Sequence, residues 1–387
     1  MLAIAVPFGI AYAIQQSTAV PSTELDGDEQ YVQSVAWSET WGIPVVISGG
    51  KGGDVDVWSA DSGEHMRAMT TGSSVWVLEV GAVNDEPVVV SAGDGADATV
   101  WDLESGDVRA TLSGHDAYIE SLDVGMVNDT PAAITGSDDD TARIWDLETG
   151  DSLAVLDGHD GKVCNVVLGE ASTGSIAVTG SLDDAVPTRV WDADSGELLH
   201  MFAKQSNYRS DCPDLALGEV GEESMILHSD GGLAFISNAV TGAEVAALDG
   251  HHEGVCDVAW GALPDQQIAV TTSDDGAVQL WDAVSGEPVR TLVGDSSLGV
   301  GVCAIEWTTM GDHPVLITGD SLGVARIWDP LSGKVLLTLE GHESKISDLT
   351  WGELDGHPAV VTSSIDGTSR VWDVRDAVAN FDESNAS

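Results

Sequence analysis

The chain has 387 residues, of which 43% are hydrophobic, enough to build a large buried core. Against 65 acidic residues stand only 14 basic ones, a net charge of −51. A surface so charged repels phosphate backbones and anionic lipids, which argues against nucleic-acid and membrane-surface binding.

The opening run, "MLAIAVPFGIAYAIQQ" over residues 1–16, is apolar. It is shorter than a membrane span and lacks the basic stretch that begins a secretory signal. It reads as an extension of a cytoplasmic protein; export after a cut at "AYA", residues 11–13, is the alternative. Further on, one phrase recurs. It is "VDVWSADSGE" at 55–64, "ATVWDLESGD" at 98–107, "TARIWDLETGD" at 141–151 and "TRVWDADSGE" at 188–197. A worn copy, "AFISNAVTGA", fills 234–243, and "VQLWDAVSGE", "ARIWDPLSGK" and "SRVWDVRDAV" begin at 278, 325 and 369. Trp58, Trp101, Trp145, Trp191, Ile236, Trp281, Trp328 and Trp372 mark eight units. A period of about 40–45 residues belongs to repeat architectures.

Each unit holds four short strand-like runs. In the third they are "YIESLDV" (118–124), "PAAITGS" (131–137), "TARIWDL" (141–147) and "DSLAVL" (151–156). Period-two alternation between Asp/Gly/Ser turns predicts an antiparallel meander, and no segment keeps a helical period. One four-stranded sheet cannot bury both faces, but sheets set side by side in a ring can. Eight units supply the first three strands, yet only seven have a following fourth. After Trp372 the Ser-Gly turn is missing and residues 377–387 form a polar tail. "STAVPSTELDGD" (17–28) matches the endings of other units. The reading is all-β: one closed propeller over residues 17–376, eight blades, with the N-terminal strand completing the last. Seven blades plus an extra unit is the alternative.

Gly-His dipeptides precede the first strand at Gly114–His115, Gly158–His159, Gly250–His251 and Gly341–His342, in phase with Trp-Asp at the end of the third. This resembles the WD-repeat (WD40) family of β-propellers. The acid-rich, lysine-poor composition resembles prokaryotic, salt-accumulating relatives. The resemblance implies a non-catalytic interaction scaffold and a hydrogen-bonded staple in each blade. Carried over residue by residue, the staples are His115, Thr135, Asp139 and Trp145; His159, Thr179, Asp183 and Trp191; His251, Thr271, Asp275 and Trp281; and His342, Thr362, Asp366 and Trp372. Units one and seven carry Asp28 and Asp295 where histidine is expected. Unit two lacks both the histidine and, at Gly95, the aspartate; unit five lacks the tryptophan.

The resemblance also implies which positions rim the top of the channel. They are Tyr31, Gln33 and Lys51 in the first blade, Trp76 and Asp94 in the second, and Tyr118, Glu120 and Asp138 in the third. Lys162 follows from the fourth, and Lys345 and Ser347 from the eighth. Three large aromatics fall on consecutive blades, beside three of the chain's five lysines. Exposed aromatics near charges are what binding hot spots contain. A protein or peptide partner docking here is the expectation, with Trp76 as mere filler of its histidine-free blade the competing reading.

Chemistry finds little foothold. The repeated aspartates sit at turn and staple positions, and no nucleophile elbow, phosphate loop or Cys/His metal motif occurs. The four cysteines have no CxxC spacing and do not read as a disulfide framework. Cys164, Cys256 and Cys303 share one register near the channel, with Cys212 one place off. Small buried thiols are expected there rather than a metal ring. Eight-bladed quinone-dependent dehydrogenases also repeat tryptophan beside a glycine turn, but there the tryptophan follows the glycine. Here Trp145 precedes Gly150. The expectation is therefore a monomeric binding protein, not an enzyme, without cofactor or metal. A sensor propeller of a larger signalling ATPase or kinase system is the alternative.

Overall fold

The recurring phrase folds the same way each time, and its chemistry explains why it recurs. In the third unit Trp145 is fully buried, while the next residue, Asp146, turns outward. The Asp146 carboxylate accepts hydrogen bonds from the Glu148 and Thr149 N–H groups, at 2.8 and 2.9 Å. Gly150 closes the turn at φ 77°, a conformation that only glycine adopts cheaply. Asp192 and Asp282 hold the same turn in the fourth and sixth units. One residue of the pair thus fills the core and the other fixes the hairpin. At the same end of the blade, in the turn between the first and second strands, Asn84-Asp85 and Asn128-Asp129 stand at positive φ. That is the signature of the tight turn whose twist suits two adjoining strands.

The computed structural model describes residues 20–26, 31–183, 185–205, 212–293 and 300–375. The expected extension at 1–16, the tail at 377–387, Asp28 and Asp295 lie outside these residues. The described chain folds into eight four-stranded antiparallel sheets, each with its strands in chain order except the last. In the third blade they run Ile119–Val127, Thr130–Ser137, Thr141–Asp146 and Ser152–Asp157. Burial follows position. The second strand is almost wholly buried between neighbouring blades, while the fourth is mostly exposed at the outer edge. Each apolar cluster draws on two consecutive blades, so the core is divided among the gaps between sheets.

The last blade takes three strands from the end of the chain, Ile346–Leu354, His357–Ser364 and Thr368–Asp373. Its fourth is Ser22–Asp26, antiparallel to the third, with Ser22 opposite Trp372 and Asp26 opposite Thr368. Leu25 on that strand is buried with Val32, Val35, Trp58, Ala359 and Val371, a cluster shared by the last and first blades. Glu24 pairs with Arg370 across the same seam. The ring is closed with eight blades, and the seven-blade alternative falls.

The cysteines correct the sequence reading. Cys164 is bonded to Cys212 and Cys256 to Cys303, and none of the four is fully buried. Each pair joins the entries of two adjacent blades, with Cα atoms 6.0 and 5.0 Å apart, within disulfide reach. The common register that suggested isolated thiols is what sets them face to face. Repeats about one unit apart in sequence are neighbours in space.

Candidate functional site

Three blades hold the full chain of staple contacts. In the third, the Trp145 indole N–H donates to Thr135 Oγ1 at 2.8 Å. Thr135 Oγ1 lies 2.8 Å from His115 Nε2, and His115 Nδ1 lies 2.8 Å from the Asp139 carboxylate. An ionised carboxylate can only accept, so Nδ1 carries the proton and Nε2 accepts the Thr135 hydroxyl hydrogen. The imidazole is thereby neutral, and burial keeps the His115 pKa below its usual value despite Asp139. Burial alone would raise Asp139, but hydrogen bonds from Thr141, the Asp116 N–H and His115 bring it down to about 2. His251 and His342 repeat the arrangement with Thr271, Asp275 and Trp281, and with Thr362, Asp366 and Trp372.

The fourth blade departs from it. His159 meets Thr179 at 2.7 Å and Trp191 donates to Thr179 at 2.9 Å. Asp183 instead takes Arg189 and the N–H groups of Ala185 and Asp160. His159 Nδ1 has no partner among the described residues, and burial, with Arg189, pushes its pKa down to about 4. In the fifth blade, where Ile236 replaces tryptophan, His228 stacks on Phe235, packs at a tilt against Phe202 and meets Ser237 at 3.2 Å. Trp58, Trp101 and Trp328 donate to Ser48, Ser91 and Thr318, each at 2.9 Å, without a histidine beyond.

The top-rim residues separate into small groups. Trp76 is half-buried and packs edge-on against Tyr118 of the next blade, centroids 5.8 Å apart, while Tyr118 keeps half its surface exposed. Lys51 lies over the Tyr31 ring at 5.2 Å, with both side chains exposed. Lys162 is engaged by Glu120 at 2.9 Å and Asp138 at 3.4 Å. Ser347 is turned into the seam, donating to Val32 O at 2.6 Å, so it presents little to a partner. Gln33, Asp94 and Lys345 are exposed.

Beneath the rim lies a feature the sequence reading did not single out. Five inner-strand carboxylates, Glu79, Asp123, Asp257, Glu306 and Asp348, lie inside the ring, half-buried. Three act as clasps between blades. Asp123 accepts from Leu168 N at 2.7 Å, Asp257 from Ile305 N at 2.9 Å, and Asp348 from Val35 N at 3.0 Å and Ser34 Oγ at 3.1 Å. Each satisfies a backbone donor that the neighbouring sheet leaves unpaired at its inner edge. Burial, then the charges of Asp123, Asp348 and Glu306, push Glu79 up to about 8. Burial and Asp348 push Glu306 and Asp257 up to about 7, although Asp257 also accepts backbone hydrogen bonds. The signal was present in "SLDV", "CDVAW" and "SDLTW", where an acidic residue stands among apolar inner-strand neighbours.

A ring of eight four-stranded antiparallel sheets, most pinned by a tryptophan–hydroxyl contact and some by an imidazole as well, is a β-propeller. Residues 106–146, 242–282 and 333–373 match the WD domain, G-beta repeat family. The three matched stretches are repeats of an eight-bladed β-propeller, which supports reading the ring as a WD-repeat propeller. Its fold is similar to the crystal structure of the computationally designed Ika8 protein, with a TM-score of 0.73 and 24% identity. That likeness covers 90% of this chain and 98% of the designed one. No curated protein matches the chain. Among the described residues, no helix is long and apolar enough to cross a membrane.

Proposed function

We propose that the protein is a non-catalytic scaffold whose top rim, from the eighth blade through the third, docks an extended peptide or loop of a partner protein. The observation that carries this reading is the Trp76–Tyr118 pair. Two aromatic rings from different blades meet edge-on at the rim, and Tyr118 stays half exposed. An aromatic serving only to fill its own blade would have no need to bridge to the next. Tyr31 under Lys51 extends the same sector, and the exposed Lys345 offers it a positive charge on an otherwise acidic protein. WD-repeat propellers are in general interaction scaffolds rather than catalysts, which supports the class of function. The staples are proposed as structural, not as sites of chemistry. The two inter-blade disulfides fit an oxidising compartment better than the cytoplasm.

The test is affinity. A partner isolated on the immobilised protein, at the salt concentration of the native cell, would be titrated against single variants. Trp76→Ala and Tyr118→Ala are each expected to weaken it about tenfold or more, about 1.4 kcal/mol, with little change in Tm. A Trp76→Ala protein that loses stability while its affinity survives would return that residue to the core.

A further inference from the structure

The second blade contains a cavity of about 220 Å³, open to solvent and lined by Thr71, Ser73, Ser91, Gly95, Asp97 and Thr99 among others. Register explains its origin. Leu78 pairs with Ser91 as Leu122 pairs with Thr135, and Ser91 pairs with Thr99 as Thr135 pairs with Arg143. Counting back along the chain, Thr71 stands where the third blade has His115, and Gly95 where it has Asp139. Three large side chains, a histidine, an aspartate and an arginine, are thus replaced by threonine, glycine and threonine. The paired strands keep their register as far as Ser91–Thr99, while the turn at 94–96 takes its own path, with the Gly95 N–H donating to Gly93 O at 2.7 Å. The Thr71 hydroxyl is engaged at the wall, by Gly53 O at 2.7 Å and by the Ser73 N–H at 3.2 Å, and does not contact Ser91.

What remains around the cavity is the set of partners an imidazole uses elsewhere in this molecule. Ser91, 3% exposed, accepts the Trp101 indole N–H at 2.9 Å, as Thr135 accepts that of Trp145. In the third blade the Thr135 hydroxyl also meets His115 Nε2. The Ser91 hydroxyl has no second partner among the described residues, a buried donor facing the cavity. At the mouth, Asp97 occupies the register of Thr141, whose hydroxyl lies 3.4 Å from His115 Nδ1. A carboxylate therefore stands at the position where a ring nitrogen is contacted in the intact blade.

We propose that this cavity is a binding site for an imidazole ring, held with one ring nitrogen on the Ser91 hydroxyl and the other on the Asp97 carboxylate. The intact blades supply their imidazole in cis; the second accepts one from outside. Small polar cavities hold water by default, and the ring displaces it because it meets both partners at once. The source is either the histidine side chain of a bound polypeptide or a free imidazole compound. Neither source requires that the aromatic rim dock a partner, so this site and the rim stand or fall separately.

The experiment uses the full chain, with imidazole as the probe, followed by calorimetry and by Tm at fixed pH and salt. Imidazole at about a hundredfold excess over its Kd is expected to raise Tm by ligand linkage. Asp97→Asn, an exposed position, should weaken imidazole about tenfold and leave the unliganded Tm unchanged. The double variant Thr71→His, Gly95→Asp restores the missing pair; a Cβ at Gly95 meets nothing nearer than Ser73 Oγ at 3.5 Å. It should melt higher than the parent and no longer respond to imidazole. A capped Ala-His-Ala peptide separates the sources: tighter binding than imidazole points to a polypeptide histidine, equal or weaker binding to a free ring. Absence of any imidazole response in the parent, or an equal response in Asp97→Asn, would overturn the proposal. Should the double variant fail to fold, Asp97→Asn alone still decides.

Discussion

At the scale of single residues, the carboxylates inside the ring carry the sharpest pH dependence. Glu79 has a folded pKa of about 8 against an ordinary value of 4.5, raised by burial and by its acidic neighbours. Between those values the folded protein binds more protons than the unfolded chain, so stability falls as pH rises. The contribution is complete below about 4.5 and lost as pH passes through about 8. Glu79→Gln should therefore melt with the parent at acid pH and well above it at alkaline pH. The difference should be on the order of a few kcal/mol across that span. The depressed histidines, His159 and His228 at about 4, act in the opposite sense, since protonation of the unfolded chain costs stability as pH falls. They are common to both proteins and cancel in the comparison. Parallel pH profiles of Tm for parent and variant would show that Glu79 is not held protonated. The linear text held Asp123, Asp257 and Asp348 among apolar neighbours but gave no sign that they and Glu79 and Glu306 face one another. Acidic residues at alternate inner-strand positions look like a solvated face until the ring sets five of them around one axis.

The strand is the element on which the architecture turns, and most strands could be read directly. Alternation, the Gly/Asp turns and the Trp-Asp phrase located four strands in nearly every unit. The missing fourth strand of the last unit pointed to the stretch 17–28, within which the strand Ser22–Asp26 lies. What escaped was whatever depends on two units at once. The disulfides were hidden because Cys164 and Cys212 are distant in sequence, and only side-by-side sheets bring them within bonding reach. The cavity of the second blade was visible as an absence, Gly95 for aspartate, but its size required the loss of an arginine as well. The closing strand yields a direct test. Deleting residues 1–26 exposes the edge of Thr368–Asp373 and strips Leu25 from its cluster. The truncated protein should melt lower and self-associate at concentrations where the parent stays dispersed, as sedimentation would report. A truncated form indistinguishable from the parent by Tm and sedimentation would mean the strand contributes little.

At the scale of the molecule, charge dominates. A net −51 spread over the surface makes compaction work against self-repulsion, and mobile ions relieve it. Tm should rise with potassium or sodium chloride from about 0.1 M into the molar range, beyond the point where the screening length falls to about 3 Å. A flat profile across that range would remove the case for a salt-adapted protein. The inter-blade clasps made by Asp123, Asp257 and Asp348 should respond less than the surface does, because ions screen buried contacts poorly.

The closing strand also sets a clock. Ser22–Asp26 leaves the ribosome long before its partner, Thr368–Asp373. At about 5–20 residues per second, the stretch between them takes roughly 20–70 s to translate. Throughout that wait the first strand has no sheet to join. A nascent chain must keep it from pairing with a stray edge, on its own ring or on another. Its brevity, the acidic residues Glu24 and Asp26, and the nearby Pro21 all make it a poor template for such pairing.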